Sequence, residues 1–160
     1  DGFEVEETGK TFRDNARIKA IAVSKETGCL SIADDSGLSV EALGGAPGIY
    51  SSRYANSDNE RIEKLLLELK PFQNRKAKFE CALCIASAEK VLIEVTGCCN
   101  GAITFYPRGK NGFGYDPIFE VLGLGKTFAE IKHQQKKLIG HRGNAFNLLK
   151  PELKKLLNLN

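Results

Sequence analysis

The strongest constraint on the fold is a pair of long apolar segments separated by a short turn. Residues 76–88 and 91–104 both have the composition of β-strands, and the turn lies near Ala88-Glu89-Lys90. Two strand-like segments joined by so short a connection predict a β-hairpin. This hairpin is the longest β structure that the sequence predicts.

Helical and further strand-like segments surround the hairpin. Thr11 can cap a first helix that Gly28 ends, and a second helix ends before Pro71. The predicted elements are helices at 11–27 and from Ser57 or Asp58, short strands at 29–33, 38–42 and 118–121, and helical segments from Thr127 and from Arg142, the last interrupted or restarted at Pro151. Because helices and strands interleave without strict β-α-β alternation, we predict an α/β protein with a mixed central sheet flanked by helices.

The composition limits the class of protein and its partners. The chain has 160 residues, of which 42% are hydrophobic and 27% charged, and this is typical of a single domain over residues 1–160. No apolar run approaches the roughly 20 residues of a membrane span, so we expect no membrane partner. A net charge of +3 is too small to indicate a nucleic-acid-binding surface, and we expect no nucleic-acid partner.

The charges are distributed unevenly along the chain. Acidic residues gather early, at 4–7 and at 34–35, whereas basic residues concentrate after residue 107. This asymmetry suits an anionic ligand held between an acidic, metal-binding half and a basic half. For the basic residues at 150–155, solvated helix faces are the better explanation.

The five cysteines indicate neither a disulfide framework nor a metal site. Their odd number favours a reducing compartment, and hence a cytoplasmic protein. Cys81 and Cys84 are three positions apart in a predicted strand, so their side chains point to opposite faces. They cannot both reach one ion, and we interpret them as buried apolar residues.

Two adjacent carboxylates follow the apolar Ile32-Ala33, in the sequence Asp34-Asp35-Ser36-Gly37. A carboxylate at a strand end can hold a hard divalent cation, and a second can orient or deprotonate a metal-bound water. The same four residues also make a good turn, which is the more common use of such a composition. Glu6-Glu7 either supplies another ligand or compensates the dipole of the following helix.

A glycine-containing loop later in the chain carries two aromatic rings and a carboxylate, in Gly112-Phe113-Gly114-Tyr115-Asp116-Pro117. Such a loop can stack on a flat base and accept hydrogen bonds from its edge. The alternative is an ordinary hairpin turn in which both rings pack inward.

Three donor side chains, Lys136, His141 and Arg142, follow close together near a predicted helix start. An Arg fork and the free amides of a helix N-terminus suit a phosphate or a purine carbonyl. The other histidine, His133, is interpreted as a surface residue of a Lys/Gln-rich helix.

Several longer motifs occur in a characteristic order. They are Glu6-Glu7-Thr8-Gly9, Thr11-Phe12, Asn15-Ala16, Lys19-Ala20, Ala33-Asp34-Asp35-Ser36-Gly37-Leu38, Leu43-Gly44-Gly45-Ala46-Pro47-Gly48-Ile49-Tyr50-Ser51-Ser52-Arg53-Tyr54, Gly112-Phe113-Gly114-Tyr115-Asp116-Pro117-Ile118-Phe119, Gly125-Lys126-Thr127 and His141-Arg142-Gly143. In this order they closely resemble the inosine triphosphate pyrophosphatase family, over roughly residues 4–150.

The resemblance implies a fold, an activity and a set of roles. The implied fold has an elongated sheet and two lobes with a nucleotide cleft between them, and the implied assembly is a homodimer. The implied activity is Mg²⁺-dependent hydrolysis of ITP, dITP and XTP to the monophosphate and pyrophosphate. Asp35 would be the catalytic carboxylate and would bind the metal with Glu6, although Glu7 could exchange roles with Glu6. The implied substrate-binding residues are Lys19, Ser36, Phe113, Gly114, Tyr115, Asp116, Lys136, His141 and Arg142.

Two features depart from the family pattern. Gly140 stands where the family usually has Ser, and the family's phosphate-gripping loop, Thr-Gly-Asn-x-x-Lys, does not occur before Glu4. The match begins about 40 residues into the family pattern, and the sequence starts at Asp1 and contains no Met. We therefore expect this polypeptide to lack an N-terminal segment and to be inactive or poorly active alone. A non-catalytic nucleotide-binding protein is the alternative hypothesis.

Overall fold

The structure is a computed structural model that describes residues 3–158. Four α-helices and four β-strands make up the fold, with four 3-10 helices between them in this range. The α-helices and strands are α1 (Phe12–Thr27), β1 (Ser31–Val40), α2 (Asp58–Glu68), β2 (Lys76–Ala86), β3 (Val91–Ile103), β4 (Phe119–Val121), α3 (His133–Ile139) and α4 (His141–Leu156). None of the helices described is long and apolar enough to cross a membrane.

The predicted hairpin is confirmed and forms the middle of the sheet. β2 and β3 pair antiparallel along their whole length, and the sheet has the order β1-β2-β3-β4. Every strand pairing between residues 3 and 158 is antiparallel. Helices flank this sheet, so the predicted α/β class is confirmed. The predicted mixture of parallel and antiparallel strands is wrong for this range, because each strand pairs antiparallel with its neighbour in the order.

The part of the sheet around residues 81–86 of β2 is covered by a helix on each face. Alternate side chains of β2 pack against one helix or the other. Side chains of successive residues in a strand point to opposite faces. Ala82, Cys84 and Ala86 pack with Phe12, Ala16 and Ala20 of α1, whereas Cys81, Leu83 and Ile85 pack with Ala145 and Leu149 of α4. Cys81 and Cys84 are buried on opposite faces, as the spacing predicts.

A second core lies at the other end of β2 and β3. Leu65 and Leu69 at the C-terminal half of α2 are buried there. An aromatic cluster forms its centre, since the ring centroid of Phe119 lies 4.8 Å from that of Phe79 and 5.1 Å from that of Phe128. The chain therefore has two lobes that share the long strands.

Two interruptions of secondary structure predicted from the sequence are wrong, one in β1 and one in α4. The residues 34–37 do not form a turn, because they pair with β2 and lie inside the continuous strand β1. Pro151 does not interrupt α4, which continues to Leu156. Packing explains the continuity of α4, since Leu149 before Pro151 and Leu153 after it both contact the same apolar core.

The limits of α1 agree with its predicted caps. The Thr11 side chain accepts a hydrogen bond from the Asp14 backbone N–H at 3.1 Å, which satisfies one free amide of the first turn. Gly28 adopts φ 68°, a left-handed conformation that glycine takes without steric cost, and it ends the helix.

Gly97 is where α4 approaches the sheet most closely. A Cβ atom at this position would lie 2.1 Å from the backbone nitrogen of Ala145 and 2.4 Å from the carbonyl oxygen of His141. Both neighbours belong to the backbone of α4, so the whole helix would have to move away from β3. The contact between α4 and the sheet therefore requires glycine here.

We predict that Gly97→Ala lowers the free energy of unfolding by about 1–3 kcal/mol, because inserting a methyl group into a packed contact forces backbone shifts. Urea denaturation measures the change. Asn100→Ala, an exposed position on the same strand, is the control and should stay within about 0.5 kcal/mol of the wild type. Equal stabilities of Gly97→Ala and the control would contradict the packing described.

Candidate active site

The pairing of β1 with β2 places the polar residues of β1 on two faces of the sheet. Asp35 lies opposite Ala82, on the face covered by α1, whereas Asp34 and Ser36 lie opposite Leu83 and Cys81, on the face covered by α4. Directly opposite residues share a face in an antiparallel pair. The two adjacent carboxylates therefore point into different environments.

On the α1 face, Asp35 is held by two side chains of one helix. Its Oδ1 atom lies 3.2 Å from Nζ of Lys19, and its Oδ2 atom accepts a hydrogen bond of 3.1 Å from Nδ2 of Asn15. Asn15 and Lys19 are four residues apart, so both lie on the same face of α1. The carboxylate is thereby fixed through both of its oxygens.

A second carboxylate joins this group from the segment before α1. Glu7 receives a hydrogen bond of 2.7 Å from Nζ of Lys19 and lies 3.7 Å from Nη2 of Arg53. Lys19 thus bridges Glu7 and Asp35. Glu6, in contrast, is exposed. Of the two neighbouring glutamates, it is Glu7 that contacts Lys19.

Opposing effects act on the pKa values of this cluster. Burial raises the pKa of Asp35, and the nearby Lys19 ammonium and Asn15 amide only partly offset that rise. Burial alone would lower the pKa of Lys19, but its hydrogen bonds and charge interactions with Glu7 and Asp35 raise it above its ordinary value. Lys19 is therefore a stable cation between two carboxylates.

The donors of this cluster are suited to a hard cation. Residues 3–158 contain no group of three or more His, Cys, Asp or Glu side chains that could hold a metal by themselves. Magnesium, however, commonly takes only one or two protein carboxylates and completes its shell with waters and substrate phosphates. Asp35 together with one carboxylate of the Glu6-Glu7 pair fits that requirement.

On the opposite face, the other predicted substrate residues converge on one cavity. The cavity has a volume of about 180 Å³ and opens beside the middle of β1. Among the residues that line it are Ser36, Phe113, Gly114, Tyr115, Asp116, Lys136, His141 and Arg142. Eight of the nine substrate-binding residues predicted from the sequence thus meet here, and the ninth, Lys19, lies on the α1 face.

The two aromatic residues of the glycine-containing loop have different environments. Phe113 is 70% exposed, so its ring is free to stack on a ligand. Tyr115 is 4% exposed, and its hydroxyl donates a hydrogen bond of 3.0 Å to the carbonyl oxygen of Ser51. Inward packing is therefore correct for Tyr115 and wrong for Phe113.

A buried ion pair lies beneath the Phe113 ring. Nζ of Lys136 is 2.5 Å from Oδ2 of Asp116, and the same oxygen accepts a hydrogen bond of 3.0 Å from the Phe113 backbone N–H. Nζ of Lys136 also lies 4.8 Å from the centroid of the Phe113 ring. Lys136 and Asp116 therefore support the loop and also present a cation and a carboxylate to the cavity.

His141 begins α4 and lies against the second core. Its ring stacks on Phe79 with a centroid distance of 4.8 Å and an interplanar angle of 14°. Burial, followed by the charges of Arg142 and Lys136, lowers its pKa to about 4, so the ring is neutral at pH 7. Its Nδ1 atom is buried and has no hydrogen-bond partner within the range that the structure describes. A buried polar atom without a partner is costly, so this nitrogen, at the edge of the cavity, is a candidate contact for a ligand.

Arg142 reaches from α4 back to β1. Its Nη2 atom lies 2.6 Å from Oδ2 of Asp34 and donates a hydrogen bond of 3.2 Å to the Ser36 hydroxyl. Burial would lower the pKa of Arg142, but its contacts with Asp34 raise it. Asp34 therefore orients a guanidinium group at the cavity, and it does not share the environment of Asp35.

Sequence reasoning assigned no site role to Asn15 or Asp58. Asn15 appeared only within a family motif, although its four-residue spacing from Lys19 was a usable signal. Asp58, which lines the cavity and accepts a hydrogen bond from the Gly114 N–H, is visible in the sequence only as a helix start, because no local pattern connects it with residues 112–116. His133 is exposed, as predicted.

The comparisons with known proteins agree on one family. A model of the Ham1 family matches residues 1–152. A dITP/XTP pyrophosphatase of Prochlorococcus marinus (strain NATL1A) is 79% identical over 156 residues, which cover 98% of this chain and 80% of the relative. A dITP/XTP pyrophosphatase of Synechococcus sp. (strain CC9311) is 63% identical over 158 residues, which cover 98% of this chain and 77% of the relative.

Solved structures show the same similarity. The Ham1 protein of Staphylococcus aureus has a TM-score of 0.92 at 47% identity and aligns over 96% of this chain and 81% of its own. A HAM1 protein from Coxiella burnetii also has a TM-score of 0.92, at 44% identity, over 95% of this chain and 81% of its own. The fold and the family predicted from the sequence motifs are confirmed.

The buried His141 predicts a specific pH dependence of stability. Its pKa is about 4 in the folded protein and 6.5 for an ordinary histidine, so the unfolded chain binds more protons between these pH values. The free energy of unfolding should therefore decrease as the pH falls from 6.5 to 4, by about 1–3 kcal/mol from this residue. His141→Phe, which keeps a ring against Phe79 but cannot titrate, should lose that part of the dependence.

Urea denaturation at pH 7 and at pH 4.5 measures the effect. The matched control is His133→Gln, which removes the exposed histidine and should leave the dependence unchanged. The interpretation fails if His141→Phe and the wild type lose the same free energy between the two pH values.

Proposed function

The chain belongs to the Ham1 family, and from that premise we propose that it hydrolyses deaminated purine nucleoside triphosphates, dITP, ITP and XTP, to the monophosphate and pyrophosphate. This hydrolysis would remove the non-standard nucleoside triphosphates from the nucleotide pool. The relatives named dITP/XTP pyrophosphatases support the substrate class. The observation that carries the assignment is that a cavity with an exposed aromatic ring and the carboxylate cluster around Asp35 lie on either side of one strand, β1.

The cavity is suited to a base with a 6-oxo group. Phe113 supplies a stacking surface, and Lys136 and Arg142 supply nitrogen donors. His141 supplies Nδ1, which is still without a partner. A 6-oxo purine presents an acceptor where adenine presents an amino donor, so donors at that edge favour hypoxanthine and xanthine. An adenine base would instead direct its amino donor at these donors, and two donors cannot form a hydrogen bond with each other.

Asp35 is the proposed catalytic residue. Its raised pKa, relative to an ordinary carboxyl group, makes it a better proton acceptor than an exposed aspartate. In the proposed reaction Asp35 accepts a proton from the attacking water, the water oxygen bonds to the α-phosphorus, and the anhydride bond between the α- and β-phosphates breaks. Pyrophosphate leaves with the electron pair of that bond. Lys19 places a fixed positive charge beside the reacting phosphates.

We propose Mg²⁺ as the cofactor, held by Asp35 and by Glu6 or Glu7. A bound Mg²⁺ neutralises phosphate charge and lowers the pKa of a coordinated water. The contact of Glu7 with Lys19 supports Glu7 as a positioning residue for Lys19. Glu6, which is exposed, is then the carboxylate free to turn toward a metal. The homodimer implied by the family resemblance and the cytoplasmic location indicated by the cysteines stay predictions.

We predict that Asp35→Asn lowers kcat for dITP at least about 100-fold, because an amide of the same shape cannot accept the proton. Pyrophosphate release by the full-length protein in the presence of Mg²⁺ is the measurement, with ATP as the disfavoured substrate. Glu26→Gln is the matched control, since it makes the same change of a carboxylate to an amide at an exposed position of α1 away from the cluster and should retain the wild-type kcat. If the wild type binds dITP but releases no pyrophosphate with Mg²⁺ or Mn²⁺, the non-catalytic alternative is correct.

We predict that Phe113→Ala raises KM for dITP about tenfold or more and leaves kcat within about threefold, because stacking of one base on an aromatic ring contributes about 1–3 kcal/mol. The effect should be similar for XTP, since every base has a π-face. Phe105→Ala removes a ring that is also 70% exposed but lies outside the cavity, and it should leave KM unchanged. Equal KM values for the two variants would argue against a stacking role.

A further inference from the structure

Two consecutive backbone amides of the loop that carries Phe113 are each held by a carboxylate. The Phe113 N–H donates to Oδ2 of Asp116, which belongs to the same loop, at 3.0 Å. The Gly114 N–H donates to Oδ2 of Asp58 at 2.7 Å. Asp58 belongs to α2, in a distant part of the sequence, so this second bond connects the loop to a different element.

The position of Asp58 is itself well determined. Its Oδ1 atom pairs with Nη1 of Arg61 at 2.6 Å, and Nε of Arg61 donates to the carbonyl oxygen of Ala55 at 3.1 Å. Ser57 caps α2, since its side chain accepts a hydrogen bond from the Glu60 backbone N–H. One carboxylate oxygen of Asp58 is therefore fixed within the helix, and the other is directed at the loop.

The backbone of this loop is flexible by itself, so a hydrogen bond from another element contributes to its order. Gly112 and Gly114, on either side of Phe113, have φ of 79° and 59°, conformations that glycine adopts easily but that it also leaves easily. The Phe113 ring is exposed and has little packing of its own. Apart from its contact with Lys136, its position therefore depends on the hydrogen bonds made by the neighbouring backbone.

From these contacts we propose that Asp58 is a positioning residue for nucleotide binding: it holds the Gly114 amide from α2 and so keeps the Phe113 ring at the mouth of the cavity. This inference rests on the proposed function, in which Phe113 stacks on the base. Ordering a flexible loop during binding costs free energy and so lowers affinity. A loop that is already ordered avoids this cost. Loss of the Asp58 bond should therefore weaken binding and leave the chemical step unchanged.

Kinetics with three variants of the full-length protein test the proposal. Asp58→Ala should raise KM for dITP about tenfold, the effect of losing a hydrogen bond to a charged group, with kcat within about twofold. Asp58→Asn keeps an oxygen that can accept the Gly114 N–H and should recover part of the loss. Glu63→Ala, an exposed acidic residue of the same helix, is the matched control and should behave as the wild type.

A reporter in the loop separates positioning from general destabilisation. Residues 1–160 contain no tryptophan, so Phe113→Trp places the only Trp of this range at the stacking position, and any Trp outside the range is replaced by Phe in the background used. In this background Asp58→Ala should lower the fluorescence anisotropy of Trp at position 113, whereas Glu63→Ala should not. All measurements are made at a temperature where circular dichroism shows each variant folded.

Two results would overturn the proposal. One is an unchanged KM in Asp58→Ala; if kcat falls at the same time, Asp58 belongs to the chemical step instead. The other is an unchanged anisotropy of the probe. If the wild type releases no pyrophosphate from dITP, the proposed function fails, and the anisotropy still decides whether Asp58 positions the loop.

Discussion

The antiparallel pairing of β1 with β2 determines where each polar residue of the site points. In this register Asp35 faces α1, and Asp34 and Ser36 face α4. A shift of one residue would exchange the two faces. Asp35 would then turn away from Asn15 and Lys19, and Asp34 would turn away from Arg142. The separation of a carboxylate cluster from a base-sized cavity thus depends on backbone hydrogen bonds that involve none of the functional side chains.

That pairing also explains which parts of the structure could be predicted from the sequence. The limits of α1 and α2 depend on caps such as Thr11 and Ser57, which act on amides a few residues away and are visible locally. The residues 34–37 favour a turn locally, and their strand conformation results from pairing with residues 80–83, far along the chain. Local patterns could not predict this. The same reason applies to Asp58, whose functional contact is with Gly114.

The family motifs predict which residues belong to the site, but they do not predict how those residues are arranged in space. They predicted that Phe113, Lys136, His141 and Arg142 belong to one site, and the structure places these residues around one cavity. They did not distinguish the exposed Phe113 from the buried Tyr115, because both rings belong to the same short motif. Burial depends on what lies above the loop, and here Ser51 and α2 supply that surface.

Charge is arranged in the site before any nucleotide binds. Each of the three principal cations already has a carboxylate partner, in the pairs Lys19 with Asp35, Lys136 with Asp116 and Arg142 with Asp34. Such pairs fix the direction of each cationic group, and a site whose dipoles and charges are fixed in advance needs little reorganisation during reaction. His141 has no such partner and stays neutral because burial, and after it the charges of Arg142 and Lys136, lower its pKa.

Helix α4 connects this charge arrangement to the core. It begins at the cavity with His141 and Arg142, and it then packs on β2 and β3 through Ala145 and Leu149. The missing side chain of Gly97 sets how closely the helix approaches, because the His141 carbonyl and the Ala145 nitrogen both lie over that glycine. A displacement of α4 at this contact would therefore also move the His141 ring on Phe79 and the Arg142 fork on β1. Packing of α4 on the sheet thus sets the positions of His141 and Arg142 at the cavity.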